Sequence, residues 1–281
     1  MLGMHRSGTS AVTRGLQCLG AELGDQLLAP SEAENPRGFY EDIPLLEVSE
    51  QVLEKLGLRW DSTRLLGDTL WRDSDLGALE LQATQIIRSR FAGSPLWAFK
   101  NPRTARLLPF WQRVFARVGC DDAYVLAVRN PLSVAHSLQR RNRLDAATSY
   151  LLWLLHMTEA INNTRGRPLV CVDYDQLLKD PSHELDRLSA SLSLPMPAPS
   201  SLGRKAFVDD FLSSEYRGSK FESEDLELDP ELSLLVRRAY TLLHGFARGD
   251  DPPSRAQLQR GFSQIGKQLR EIAPLLLRLD S

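Results

Sequence analysis

Gly3-Met4-His5-Arg6-Ser7-Gly8-Thr9-Ser10 is the stretch on which the fold reading turns. The apolar stub Met1–Met4 leads into its turn. After it comes a helical run from about Gly8 to Leu19, with Val12, Leu16 and Leu19 on one face and a stop at Gly20. Strand stub, glycine-bounded turn and helix follow in that order. The spacing is that of the nucleotide P-loop, G-x-x-x-x-G-K-[ST], except that Thr9 stands at the lysine position. Loop amides and a helix N-terminus still offer an anion hydrogen-bond donors and a positive dipole end. Without the lysine, and with no evident Walker-B acid, magnesium-dependent ATP hydrolysis is disfavoured. The cation has moved to Arg6, inside the loop.

Working outward, three short apolar runs read as buried strands: Pro95–Phe99, Ala123–Val128 and Leu169–Asp173. Helical spacing predicts helices over Ile43–Leu56 (closed by Gly57), Leu76–Phe91, Arg106–Val118, a run after Pro131 to about Arg140, and a long helix capped by Asp145 that ends near Thr164. Further helices are expected at Pro181–Leu192, Glu231–Phe246 and Ala256–Leu277, while Phe207–Asp229 has no assignable period. Strands alternating with helices predict an α/β fold, a three-layer α/β/α arrangement around a central parallel sheet. Ligands of such sheets sit at the carboxyl ends of the strands. Three of those ends carry a cation: Arg6 after Met4, Lys100 after Phe99, and Arg129 after Val128.

Composition narrows the classes. The chain has 281 residues, 34 Lys+Arg against 36 Asp+Glu, and 42% hydrophobic residues, which excludes disorder and a collagen-like repeat. A net charge of −2 argues against a general nucleic-acid binder. The longest apolar stretch, Tyr150–Met157, is too short to span a bilayer, and no signal peptide is visible. Cys18, Cys120 and Cys171 form no CxxC, so neither a disulfide framework nor a metal site is expected, and a soluble cytoplasmic protein is. Charge is unevenly spread. Ala21–Leu56 holds nine acids and two bases, whereas Lys100–Arg143 holds nine bases and two acids. The basic block suits a small polyanionic ligand; the acidic stretch points to a neutral or cationic acceptor.

With these residues in place, the chain resembles the sulfotransferases that use 3′-phosphoadenylyl sulfate (PAPS), and among them the bacterial, carbohydrate-type branch. His5–Ser10 resembles the family's 5′-phosphosulfate loop. Arg129-Asn130-Pro131 with Ser137 resembles its 3′-phosphate element. Trp97–Arg103 (WAFKNPR), Trp153 and Tyr174–Pro181 (YDQLLKDP) match further stretches in the right order, over about Gly3 to Leu194. The resemblance implies a P-loop-like fold and metal-free transfer of a sulfuryl group from PAPS to a hydroxyl or amine. His5, Arg6, Ser7, Gly8, Thr9 and Ser10 would hold the phosphosulfate, Arg129 and Ser137 would fork the 3′-phosphate, and Tyr174 would lie near the adenine. Arg6 and Lys100 would meet developing charge. Glu41 is the expected base, with Asp42 and His5 as alternatives.

The chain departs from the pattern in its short first strand, in Ala11 where phenol-acting members have Trp, and in Arg217–Lys220 (RGSK), a poor match to their Arg-Lys-Gly stretch. Two rival readings are a P-loop kinase-like phosphotransferase and a catalytically degenerate nucleotide- or glycan-binding module. Residues 1–250 are read as the PAPS-binding domain. Residues 251–281 are read as a helix that packs on it or serves a homo-oligomer or a fused or partner glycosyltransferase. The expected partner is a small-molecule or glycan acceptor, shaped by loops around Ala29–Tyr40, Arg59–Asp73 and Phe207–Asp229.

Overall fold

The computed structural model describes residues 1–32, 34–73, 75–198, 201–212, 221–248 and 253–279. In chain order it contains α1 Thr9–Cys18, α2 Ile43–Lys55, α3 Asp68–Asp73, α4 Gly77–Phe91, α5 Leu108–Val118, β1 Tyr124–Val128, α6 Pro131–Asn142, α7 Ala146–Asn163, β2 Leu169–Asp173, α8 Tyr174–Lys179 and α9 Pro181–Leu192. A short α10 (Leu202–Lys205) runs into a π-helical turn, Ala206–Phe211. Then come α11 Asp225–Leu228, α12 Leu234–Arg248, α13 Arg255–Glu271 and α14 Ala273–Leu279.

Short polar side chains start several of these helices, as their sequence positions suggest. Asp42 accepts from Leu45 N at the head of α2, Asn130 from Leu132 N on α6, and Asp145 from Thr148 N on α7. Each satisfies an amide that has no partner inside its helix.

β1 and β2 pair in parallel, from Tyr124 opposite Leu169 to Val128 opposite Asp173. Side chains alternate across a strand, and β1 uses both faces. Tyr124, Leu126 and Val128 pack with Trp153 and Leu155 of α7 and with Phe262 of α13. Val125 and Ala127 pack with Val12 and Leu16 of α1, Val170 and Val172 of β2, and Leu185 of α9. That is the helix–sheet–helix layering expected from the sequence. A third core joins α2, α4 and α5 through Val48, Ile87 and Trp111, against Phe99. Trp111 and Trp153 are fully buried; truncation of either to Ala would cost about 3–5 kcal/mol.

Three expectations need correction. Among the described residues the sheet has two continuous strands, not three or more. Pro95–Phe99 makes only a single bridge, Trp97 to Glu22, and the Met1–Met4 stub makes one, Leu2 to Leu126. Each is held at one point, so neither builds a ladder. The helix expected from Arg106 begins at Leu108, because Asn101 caps a tight 3₁₀ turn over Pro102–Ala105. The last helix is not continuous to Leu277. It ends at Glu271 and restarts at Ala273, since Pro274 has no N–H to give Arg270 O.

Leu258, Phe262, Ile265 and Leu269 of α13 are buried in the same core as Trp153. The boundary expected between 250 and 251, and the Arg217–Lys220 turn, lie outside the described residues. Among the described residues no helix is long and apolar enough to cross a membrane.

Candidate active site

The loop between the Met1–Met4 stub and α1 is curled by two left-handed residues, Arg6 at φ +68° and Gly8 at φ +80°. Gly8 is the N-cap of α1 and no side chain caps that end, so the first-turn amides stay open to a ligand. Gly8 is also a close-approach position. A Cβ there would fall 2.0 Å from Cδ2 of Tyr174, the first residue of α8. Arg129, at the end of β1, lies with its guanidinium 4.9 Å from the Tyr174 ring centroid. Its Nη1 donates to the Arg6 carbonyl at 2.9 Å.

Arg6 reaches across to α6, where its Nε donates to Ser137 Oγ at 2.8 Å; its Nη1 donates to Glu34 O at 3.1 Å. The sequence reading joins Ser137 to Arg129. In the structure Ser137 holds Arg6, while the Arg129 guanidinium is engaged by the loop carbonyl and the Tyr174 ring.

Lys100 follows Phe99 directly and turns inward. Its Nζ donates to Glu41 Oε1 at 2.6 Å and Phe39 O at 3.0 Å, with Ser10 Oγ at 3.5 Å. Both members of the ion pair are buried, with side-chain exposures of 3% and 8%. Burial drives the Lys100 ammonium below the ordinary lysine range, against the pull of Glu41. Asn35 Nδ2 donates to Ser10 Oγ, which itself donates to Phe39 O, so the Asn35–Phe39 turn is tied to the head of α1. Asp42 does different work from its neighbour. Besides capping α2 it takes Arg90 Nη2 at 2.6 Å, a contact that fixes α4 against α2.

His5 is buried, its ring 4.7 Å from Trp60 and 6.4 Å from His156. Burial, reinforced by Arg103, His156, Arg141 and Lys100, holds its pKa well below the usual histidine value. The ring is therefore neutral at pH 7, and its Nε2 has no hydrogen-bond partner among the described residues.

A cavity of about 190 Å³ brings together His5, Arg6, Gly8, Thr9, Ser10, Glu41, Lys100, Arg129 and Tyr174. It opens at the carboxyl ends of the strand segments, as the topology requires. Ser7 is fully buried behind the loop, and Ser137 acts from behind through Arg6. Sequence reading missed Arg141, which lines the cavity, stands 6.0 Å from the Trp60 ring centroid and pairs with Glu34 at 3.5 Å. It comes four residues after Ser137 on α6, so helical spacing was the available signal. Phe211 also lines it, from the segment with no assignable period. Among the described residues no group of three His, Cys, Asp or Glu is placed to hold a metal ion.

Five of the nine acids in the acidic stretch are paired with basic side chains. Asp25 and Asp42 meet Arg90, Glu50 meets Arg103, Glu41 meets Lys100, and Glu34 meets Arg141. Of these cations Lys100, Arg103 and Arg141 belong to the basic block, so the two stretches are partly paired with each other.

No protein-family profile matches the chain, and no curated protein matches it. Among solved structures the chain is similar to the sulfotransferase domain from the curacin biosynthetic pathway, with a TM-score of 0.45 and 17% identity over 96% of this chain and 95% of that one. It is also similar to the sulfotransferase domain from the Synechococcus PCC 7002 olefin synthase, with a TM-score of 0.44 and 18% identity over 96% of this chain and 92% of that one.

Proposed function

We propose that this chain is a PAPS-dependent sulfotransferase acting on a hydroxyl or amine of a carbohydrate or other small acceptor. One observation carries the reading. Arg129 just past β1, and Arg6 and Lys100 just past the singly bridged segments Met1–Met4 and Pro95–Phe99, converge with Glu41 on one cavity at an uncapped helix N-terminus. The donor set fits a ligand with two anionic ends. Arg6 and the open amides of Thr9 and Ser10 suit a 5′-phosphosulfate, Arg129 suits a 3′-phosphate, and the Tyr174 ring beside Arg129 suits a base. Bound PAPS would supply the sulfuryl group and a phosphate leaving group.

Glu41 takes the acceptor's proton at its carboxylate. Lys100 Nζ, 2.6 Å away, is the counter-charge of that carboxylate and remains as a fixed cation when charge develops next to it. Arg6 is oriented by Ser137 and Glu34 O, so little rearrangement is needed at the moment of transfer. Thr9 at the Walker-lysine position speaks against the kinase-like alternative.

The test is calorimetric titration of adenosine 3′,5′-bisphosphate without metal. The expected result is binding that is lost or greatly weakened in Arg129→Ala, with ADP and ATP binding less well. No binding, or a preference for magnesium-ATP, would overturn the reading.

A further inference from the structure

A second cavity, about 560 Å³, shares no lining residue with the candidate active site; it opens between α6, the start of α7 and the segment that carries α11. Leu132 and Ala135 of α6 and Tyr150 of α7 are buried and make its floor. Asn130 Nδ2 donates to the carbonyls of Phe221 and Glu222, and Tyr150 OH donates to Asp229 at 2.5 Å. The outer wall is thereby pinned to α6 at one end and to α7 at the other. Leu228 stands at the rim with 79% of its surface in water, an apolar side chain left in solvent beside an apolar hollow.

The two edges carry opposite charge. On the outer side, Glu222–Glu231 holds six acids and no base. Glu227 meets Arg237, and Asp229 is taken by Tyr150. Among the described residues Asp225 accepts only the Glu222 amide, and the Glu231 carboxylate has no hydrogen bond or ion pair. On the α6 side His136 and Gln139 line the cavity, and Arg140 and Arg143 follow them one turn further on the same helix face. Both arginines are exposed, and neither has an ion pair among the described residues. Spare charges of each sign therefore flank one apolar hollow and do not meet within the chain.

We propose that this face is a homodimer seam, on which a second copy of the chain docks about a twofold axis. Twofold pairing lays a patch against itself, so the patch must be its own complement. Here Leu228 of each copy enters the hollow of the other, while Asp225 and Glu231 of each face Arg140 and Arg143 of the other. A uniformly basic partner satisfies the acids but sets like charge against the arginines, and a uniformly acidic one does the reverse. Only a partner with both signs in the same arrangement fits both edges, and a second copy has that arrangement by construction. The seam also braces α6, the helix whose Ser137 holds Arg6.

Sedimentation equilibrium of the full chain tests this. The wild type is expected to form a dimer with a dissociation constant of about 10 μM or tighter. Leu228→Asp puts a charge into the hollow and weakens the dimer at least about thirtyfold. Arg140→Glu/Arg143→Glu alone and Asp225→Lys/Glu231→Lys alone are monomers, because each then sets like charges across the seam. An equimolar mixture of those two variants recovers a dimer, since every edge again meets its opposite, and that recovery also shows that both variants are folded. A monomeric wild type, an undiminished dimer in Leu228→Asp, charge variants that each dimerise alone, or a mixture that stays monomeric would overturn the inference. None of these readouts depends on the sulfuryl reading.

Discussion

Lys100 Nζ and Glu41 Oε1 lie 2.6 Å apart with both side chains almost entirely out of water. They come from separate segments, one after the Pro95–Phe99 run and one just before α2, and each is the other's counter-charge. Removing one member of a buried pair leaves an uncompensated charge, which costs more than the pair contributes.

Glu41→Gln is therefore expected to destabilise the fold at pH 7 by about 3 kcal/mol and to abolish turnover with any acceptor. The pH dependence has a definite sign. Lys100 has a folded pKa below its unfolded one, so its penalty is fully present below the folded pKa and fades as pH rises toward about 10.5. Without Glu41 the folded value drops further, and relief starts at lower pH. Urea unfolding of wild type and variant at pH 7 and pH 9.5 checks this. A gap between the two proteins that fails to narrow at the higher pH would refute it.

Arg129→Ala removes a guanidinium from the cavity and its contact with the Tyr174 ring. A charge-assisted bond to phosphate is worth about 1.5–3 kcal/mol, so affinity for adenosine 3′,5′-bisphosphate should fall roughly 10- to 100-fold. Ser137→Ala acts only through Arg6, and a loss of about fivefold is expected. Calorimetry on both variants reverses this ranking if Ser137 is the main ligand group.

Gly8→Ala places a methyl against the Tyr174 ring and forces a φ of +80° on a residue with a Cβ. The combined protein Gly8→Ala/Tyr174→Ala relieves the overlap but keeps the backbone strain of about 1–2 kcal/mol. Denaturation midpoints should show the double variant more stable than Gly8→Ala alone. If the two single effects simply add, the ring and the glycine are not in contact.

His5 and His156 are both held neutral by burial, His156 with a pKa down to about 3. Below pH about 6.5 the unfolded chain binds protons on them that the folded chain refuses, so stability falls with acid at up to about 1.4 kcal/mol per pH unit for each. His156→Leu should flatten that slope by about one proton between pH 6.5 and pH 5. Unfolding free energies measured across this range will show an unchanged slope if His156 is already exposed to solvent.

Much of the fold is legible in local sequence. The hydrophobic run Leu169–Asp173 forms a strand with those bounds, and Pro181–Leu192 a helix with those bounds; in each case flanking Asp, Pro or turn residues mark the ends. The Pro95–Phe99 run reads equally well as a strand, yet among the described residues it makes one bridge, Trp97 to Glu22, and a strand exists only by pairing. Arg141 went unnoticed for a related reason. Its place in a basic block hides the fact that α6 turns it onto the same side as Ser137.

The sequence by itself determined the layer order, the glycine-bounded loop ahead of α1, and the cations that follow Met4, Phe99 and Val128. These follow from side-chain period, capping chemistry and the residues that tolerate positive φ, all of which act within a few positions along the chain. Only the tertiary structure decided that Glu41 faces Lys100 while Asp42 turns to Arg90, that Ser137 serves Arg6, and that Glu34 and Glu50 of the acidic stretch meet Arg141 and Arg103 of the basic one. Those outcomes depend on which charges are buried together. Burial is a property of the packed whole, and adjacent carboxylates in a sequence carry no mark of the side they will face.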